Sequence, residues 1–204
     1  MRRLLGGMLA VLLLVSGVAC KQPPSVPAPA QTETAPTAPA DVAALRVKAN
    51  AGDAGAQNYL GFAYFNGQGV PQDYAQAAAW FRKAAEQGDA DAQFNLGMMY
   101  YNGQGVPQDD AQAAAWYRKA ADQGYANAQF NLGVMYRNGQ GVPQDYVESH
   151  KWRNLAASRA SAEKQKQYAE TRDAMATLMT PAQLADAQQR ASAWLAAFEK
   201  RGGK

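Results

Sequence analysis

The 204-residue chain carries 20 Lys and Arg against 17 Asp and Glu, with one histidine and one cysteine. Its formal charge of +3 falls almost to neutrality once Arg2 and Arg3 at the amino terminus are set aside, so the body has no electrostatic footprint for nucleic acid. A lone cysteine and a lone histidine build neither an intrachain disulfide nor a Cys/His metal site.

Met1-Arg2-Arg3 is a short positive head. Leu4 to Val15 is apolar and uncharged but too short for a membrane span of roughly 20 residues. The stretch closes on Ser16-Gly17-Val18-Ala19-Cys20. The Ala19-Cys20 pair resembles the lipobox of bacterial lipoprotein signal peptides. That resemblance implies a signal peptide over residues 1–19 and lipidation of Cys20. Gly17 departs from the leucine usual three places before the cysteine. An ordinary secretory signal cut before Cys20 is the alternative, which would leave the protein soluble in the periplasm or secreted. Lys21 stands where aspartate would resemble an inner-membrane retention signal, so the expected location is the outer membrane, facing the periplasm.

Residues 20–40 read as a lipid-anchored tether. Lys21 to Ala40 holds six of the ten prolines and almost no large apolar side chains, too little to offset the entropy of ordering. In a fully extended polyproline conformation, at about 3.1 Å per residue, it would reach roughly 60 Å. Beyond it, residues 41–150 are net acidic and 151–204 net basic. The basic excess reads as a solvated helical face.

Residues 41–52 form an expected amino-terminal capping helix, closed by Gly52-Asp53. A 36-residue period then begins. Gly61, Gly97 and Gly133 fall in register, as do Tyr64, Tyr100 and Tyr136, and Trp80, Trp116 and Trp152. So does the run Gly-Gln-Gly-Val-Pro-Gln-Asp ending at Asp73, Asp109 and Asp145. A fixed period of this length marks a stacked array, because one small unit cannot bury its own apolar face.

Each unit divides into two helices. Ala56, Leu60, Ala63 and Tyr64 share one face at helical spacing. Gly61 costs about 1 kcal/mol inside a helix, and its recurrence predicts close approach of a neighbouring helix. Asn66-Gly67-Gln68-Gly69 ends the first helix, and Pro71 follows. Asp73, Asp109 and Asp145 each stand three residues before Gln or Glu, which resembles a capping box opening the second helix. Ala77, Trp80 or Phe81, and Ala84 form its buried stripe.

These residues resemble the Sel1-like repeat, a relative of the tetratricopeptide repeat with a longer loop between its helices. The pattern runs through Ala56, Leu60-Gly61, Tyr64, Gly67-Gln68-Gly69-Val70, Asp73, Ala77, Trp80, Ala84-Ala85 and Gly88. Copies are expected at about 53–89, 90–125 and 126–160. The third departs at Ala160, where glycine is usual. The implied fold is all-α, a right-handed α–α superhelix, with carboxy-terminal capping helices over 161–204. Ala162 to Met179 is rich in helix formers. Thr180-Pro181-Ala182-Gln183 opens a last helix burying Leu184, Ala187, Ala191, Trp194, Leu195 and Phe198.

No reactive constellation is evident, and the chain reads as a non-enzyme without cofactor or metal. His150 stands where the other copies have Ala78 and Ala114, and is expected to be partly exposed. The resemblance implies instead a surface for another envelope or periplasmic protein, beside membrane attachment through the lipid. By analogy with tetratricopeptide arrays, the stripe lining the concave groove comprises Asn58, Tyr59, Phe62 and Phe65, then Phe94, Asn95, Met98 and Tyr101, then Phe130, Asn131, Val134 and Arg137. Aromatic and methionine side chains give adaptable contact, Asn95 and Asn131 are candidates to bond a peptide backbone, and Arg137 to take a carboxylate. Packing of Phe94, Phe130 and Met98 against the next repeat is the competing reading. A cell-wall glycan binder using Tyr59, Tyr101 and tryptophans is the alternative function, and a hydrolase the more remote one.

Overall fold

The computed structural model describes residues 39–203. The signal peptide, Cys20 and nearly all of the tether lie outside the described residues. Helix α1 spans Pro39–Asn50, beginning two residues before the expected boundary; proline suits a first helical turn. Three hairpins follow: α2 (Ala54–Asn66) with α3 (Tyr74–Glu86), α4 (Ala90–Asn102) with α5 (Asp110–Asp122), and α6 (Ala126–Asn138) with α7 (Tyr146–Arg159). Helices α8 (Ala162–Ala176) and α9 (Pro181–Lys200) close the chain. Consecutive helices from α1 to α8 pack on one another in order, giving a right-handed all-α solenoid.

The glycine expectation holds. A Cβ built on Gly61 would lie 2.6 Å from the Phe81 ring, and one on Gly97 would lie 2.8 Å from Tyr117. At Gly133 it would meet Arg153 Cγ at 2.9 Å. Each glycine therefore seats a side chain of its own hairpin partner. Leu60, Leu96 and Leu132 are fully buried beside these contacts, each stabilising the fold by about 1.5–3 kcal/mol through burial. Of the periodic tryptophans, Trp80 and Trp152 are buried and Trp116 half-buried. Lys83, Lys119 and Lys151 lie over their rings at 3.9, 3.8 and 4.3 Å.

The capping expectation needs one correction. Asp73, Asp109 and Asp145 do accept from the backbone N–H of Gln76, Gln112 and Glu148. Among the described residues, the reciprocal side-chain bond completes a capping box only at α9, between Thr180 and Gln183. Glu148 turns elsewhere, accepting from Trp152 Nε1 at 3.1 Å, Lys151 at 2.9 Å and Arg190 at 3.1 Å. Asp53 and Asp89 cap α2 and α4 in the same manner.

Buried glutamines form a second device. Gln57, Gln93 and Gln129 donate to the carbonyls of Ala49, Ala85 and Ala121, at the end of the preceding helix. Gln87 and Gln123 in turn donate to Gln57 and Gln93. A third set joins Arg46 to Tyr64, Arg82 to Tyr100 and Arg118 to Tyr136. The tyrosines expected within the buried stripe are thus half-buried, with hydroxyls taken by arginines of the preceding helix.

The period continues past the third hairpin. Helix α8 begins 36 residues after α6 and packs on α7 as a fourth first helix would. Helix α7 ends at Ala160 in extended geometry (φ −68°, ψ 154°), not at a left-handed glycine like Gly88 or Gly124. Only residues 177–180 join α8 to α9, against seven-residue loops within the repeats. Helix α9 accordingly packs on α7. Glu148 meets Arg190, Trp152 meets Trp194, and Arg159 meets Phe198, so the two run side by side in one direction. Of the core residues expected on α9, Ala187, Ala191 and Phe198 are buried, while Leu184, Trp194 and Leu195 are half-buried.

Candidate partner groove

Helices α2, α4 and α6 position the stripe at four registers, 58/94/130, 59/95/131, 62/98/134 and 65/101/137. The first two hold most of the buried members. Asn58, Phe94, Asn95 and Asn131 are buried, Phe130 is half-buried and Tyr59 is half-buried. Asn95 Nδ2 donates to Asn58 Oδ1 at 3.3 Å across the α2–α4 contact. Asn131 bonds the buried Tyr117 hydroxyl, whose ionisation burial pushes well above its usual range. These asparagines therefore join neighbouring helices, and the expectation that they face a peptide backbone is corrected. Their amides bond within the fold, although Asn95 Oδ1 itself is buried without a partner.

The rings divide similarly. Phe94 packs on Tyr117 and Tyr125, with centroids 5.6 and 5.2 Å away. Phe62 is buried edge-on to Phe81 at 5.2 Å. Phe130 stacks on Tyr168 of α8 at 4.3 Å. Phe94 thus packs on rings of its own repeat, Phe130 packs against the helix that follows its repeat, and Met98 lies half-buried against the same core cluster as Phe94.

What reaches the surface is narrower. Phe65, Met98, Tyr101 and Val134 are half-buried, and Arg137 is exposed. Phe65 packs edge-on to Tyr74 at 5.2 Å, and the Tyr101 hydroxyl accepts from Gln140 at 3.4 Å. Arg137 lies near the buried Arg153, whose guanidinium is pushed down to about 10, first by burial and then by the Arg137 charge. The stripe thus runs from apolar at α2 to positive at α6, an arrangement suited to an apolar segment followed by an anionic group.

His150 is 3% exposed, contrary to expectation. Burial, then the charge of Arg172, holds its imidazole below the ordinary histidine range. Among the described residues, no cluster of three or more His, Cys, Asp or Glu side chains is placed to hold a metal, and no helix is long and apolar enough to cross a membrane.

The Sel1 repeat matches residues 54–89, 90–125 and 126–161. Among solved structures, a protective antigen of uropathogenic Escherichia coli displaying an SLR fold is 52% identical, with a TM-score of 0.57 over 59% of this chain. The match spans 26% of that antigen. A Sel1 repeat protein from Oxalobacter formigenes is 38% identical, with a TM-score of 0.57 over 64% of this chain and 98% of its own. No functionally curated protein matches. Sel1 repeat proteins serve generally as protein-interaction scaffolds. With its three tandem units, the chain belongs to the Sel1 repeat family.

Proposed function

We propose that the chain is a non-enzymatic adaptor of the bacterial envelope that holds a segment of a partner protein along α2, α4 and α6. The observation that carries this reading is the surface line from Phe65 through Met98, Tyr101 and Val134 to Arg137. Its side chains differ from repeat to repeat, whereas Leu60, Leu96 and Leu132 beneath them do not. A solenoid that varies its surface register over a constant leucine seam changes its contact surface while keeping its scaffold. The lipobox-like Ala19-Cys20 and the proline-rich stretch support attachment to a membrane with the body held off it, and Lys21 after the cysteine favours the outer membrane facing the periplasm.

Photo-crosslinkers at Tyr101 and at Arg137, introduced singly in cells, are expected to capture the same protein. The exposed α5 position Gln112 should not capture it. Arg137→Glu combined with Met98→Glu should reduce that capture at least tenfold with helical content retained, since replacing one well-packed interface side chain costs on the order of 1–2 kcal/mol of binding. Capture that survives the double substitution, or arises equally at Gln112, would remove the groove as the partner site.

A further inference from the structure

The four-residue connection sets α9 against α7 and opens a cleft of about 320 Å3 among α7, α8 and α9. Its walls are His150 and Asn154 from α7, Arg172 and Asp173 from α8, and Leu184 and Gln188 from α9. Between earlier helices the corresponding register is filled by the arginine–tyrosine pairs. Here Asn154 stands in the arginine's place and Arg172 in the tyrosine's, so the guanidinium comes from the opposite helix. Its Nη1 approaches Asn154 Oδ1 at 3.4 Å, while its Nε holds Asp173 at 2.8 Å.

Two features distinguish this cleft from a packing defect. His150 is 3% exposed, yet its Nδ1 has no hydrogen-bond partner. Such an orphaned buried group is costly until a partner reaches it. The Arg172–Asp173 pair joins sequence neighbours whose side chains are 29% and 66% exposed. Asp173 takes both Nε and Nη2 of Arg172, but exposed pairs between sequence neighbours contribute little. A volume at the small end of ligand sites, polar at several points and apolar at Leu184, suits a compact organic molecule.

We propose that this cleft binds a small organic carboxylate, with Arg172 and His150 donating to the carboxylate, Asn154 and Gln188 bonding its remaining polar groups, and Leu184 covering its hydrocarbon part. The planar guanidinium fork matches a carboxylate, and the two-thirds-exposed Asp173 turns to solvent. The charges acting on the imidazole are Arg153 of its own helix and Arg172 and Asp173 of α8; the α9 wall contributes the uncharged Leu184 and Gln188. A bound anion offsets the two guanidinium charges, and His150 takes a proton from solvent as the site fills. This site is independent of the partner groove.

His150 is the only histidine, so its ring resonances in the intact protein form a single reporter. They are to be followed by NMR against pH with N-acetylglycine, with uncharged N-acetylglycinamide and inorganic phosphate as comparisons. N-acetylglycine is expected to give a saturable shift. It should also raise the His150 midpoint by about one pH unit if the imidazolium form binds it tenfold more tightly. The other two compounds should do neither. Arg172→Gln should abolish the response with helical content unchanged, and Gln188→Ala on the exposed face of α9 should weaken it severalfold. No saturable shift in the wild-type protein overturns the proposal, as does an equal response to N-acetylglycinamide or phosphate, or a response that persists in Arg172→Gln.

Discussion

A methyl group at Gly61 would press 2.6 Å from the ring of Phe81, a side chain that is itself 1% exposed and has nowhere to move. Alanine gains about 1 kcal/mol of helix propensity over glycine, whereas overpacking a closed core costs roughly 1–3 kcal/mol. The clash wins, and Gly61→Ala is expected to destabilise by about 1 kcal/mol net in urea unfolding. In a Phe81→Leu background the same change should be neutral or stabilising, and a double-mutant cycle measures the coupling. Equal destabilisation in both backgrounds would separate the glycine from the ring. This contact was legible because a costly residue recurred in register. The glutamines were also in register, at 57, 93 and 129, but a polar side chain beside an apolar stripe reads as solvated unless its partner is known. That partner is a carbonyl eight residues earlier on the preceding helix, which hydrophobic periodicity does not register. The asparagines misled for the same reason, since their bonds cross between repeats.

At the scale of the element, the repeated Gly-Gln-Gly run performs two tasks with its two glycines. Gly139 ends α6 at φ +67°, and a Cβ there would meet Gln144 only at 3.4 Å, an ordinary contact. Gly141 has φ +65°, but a Cβ there would lie 2.1 Å from the carbonyl oxygen of Asp110, at the start of α5. The loop of one hairpin therefore rests on the helix start of the previous one, as Gly105 rests on Tyr74. Gly139→Ala should cost only the left-handed backbone penalty, about 1–2 kcal/mol. Gly141→Ala adds displacement of a packed loop and should cost more than about 3 kcal/mol. Comparable unfolding midpoints for the two variants would show that the loop does not bear on the neighbouring hairpin. Periodicity identified the turn, but it could not assign the second glycine to a contact between repeats.

At the scale of the molecule, the apolar seam changes character where the array ends. Positions occupied by Ala77, Ala78 and Phe81 in the first hairpin become Ser149, His150 and Arg153 in the third, all buried. Arg153 donates to the Thr171 carbonyl of α8 at 2.9 Å, and Ser149 to the Gly133 carbonyl at 2.7 Å. The helical cap was visible in composition and in Thr180-Pro181. Its placement was not, because the short connection and the contacts of α9 with α7 are tertiary. This polar seam makes stability depend on acidity. His150 is held below its ordinary range when folded, so below about pH 6.5 the unfolded chain binds more protons than the native one. Stability is fully present above that value and falls as pH drops toward the folded-state midpoint, by at most about 1.4 kcal/mol per pH unit from this group. Burial alone would raise Glu148, but its bonds and charge contacts with Lys151 and Arg190 leave it below the ordinary glutamate range. Its contribution is present above that range and is lost only in stronger acid, as pH falls through its lowered midpoint. Urea unfolding across the pH range should therefore show two separate losses. His150→Gln should flatten the first and leave the second, whereas Glu148→Gln should do the reverse. A His150→Gln protein that retains the full loss just below pH 6.5 would place the sensitivity elsewhere.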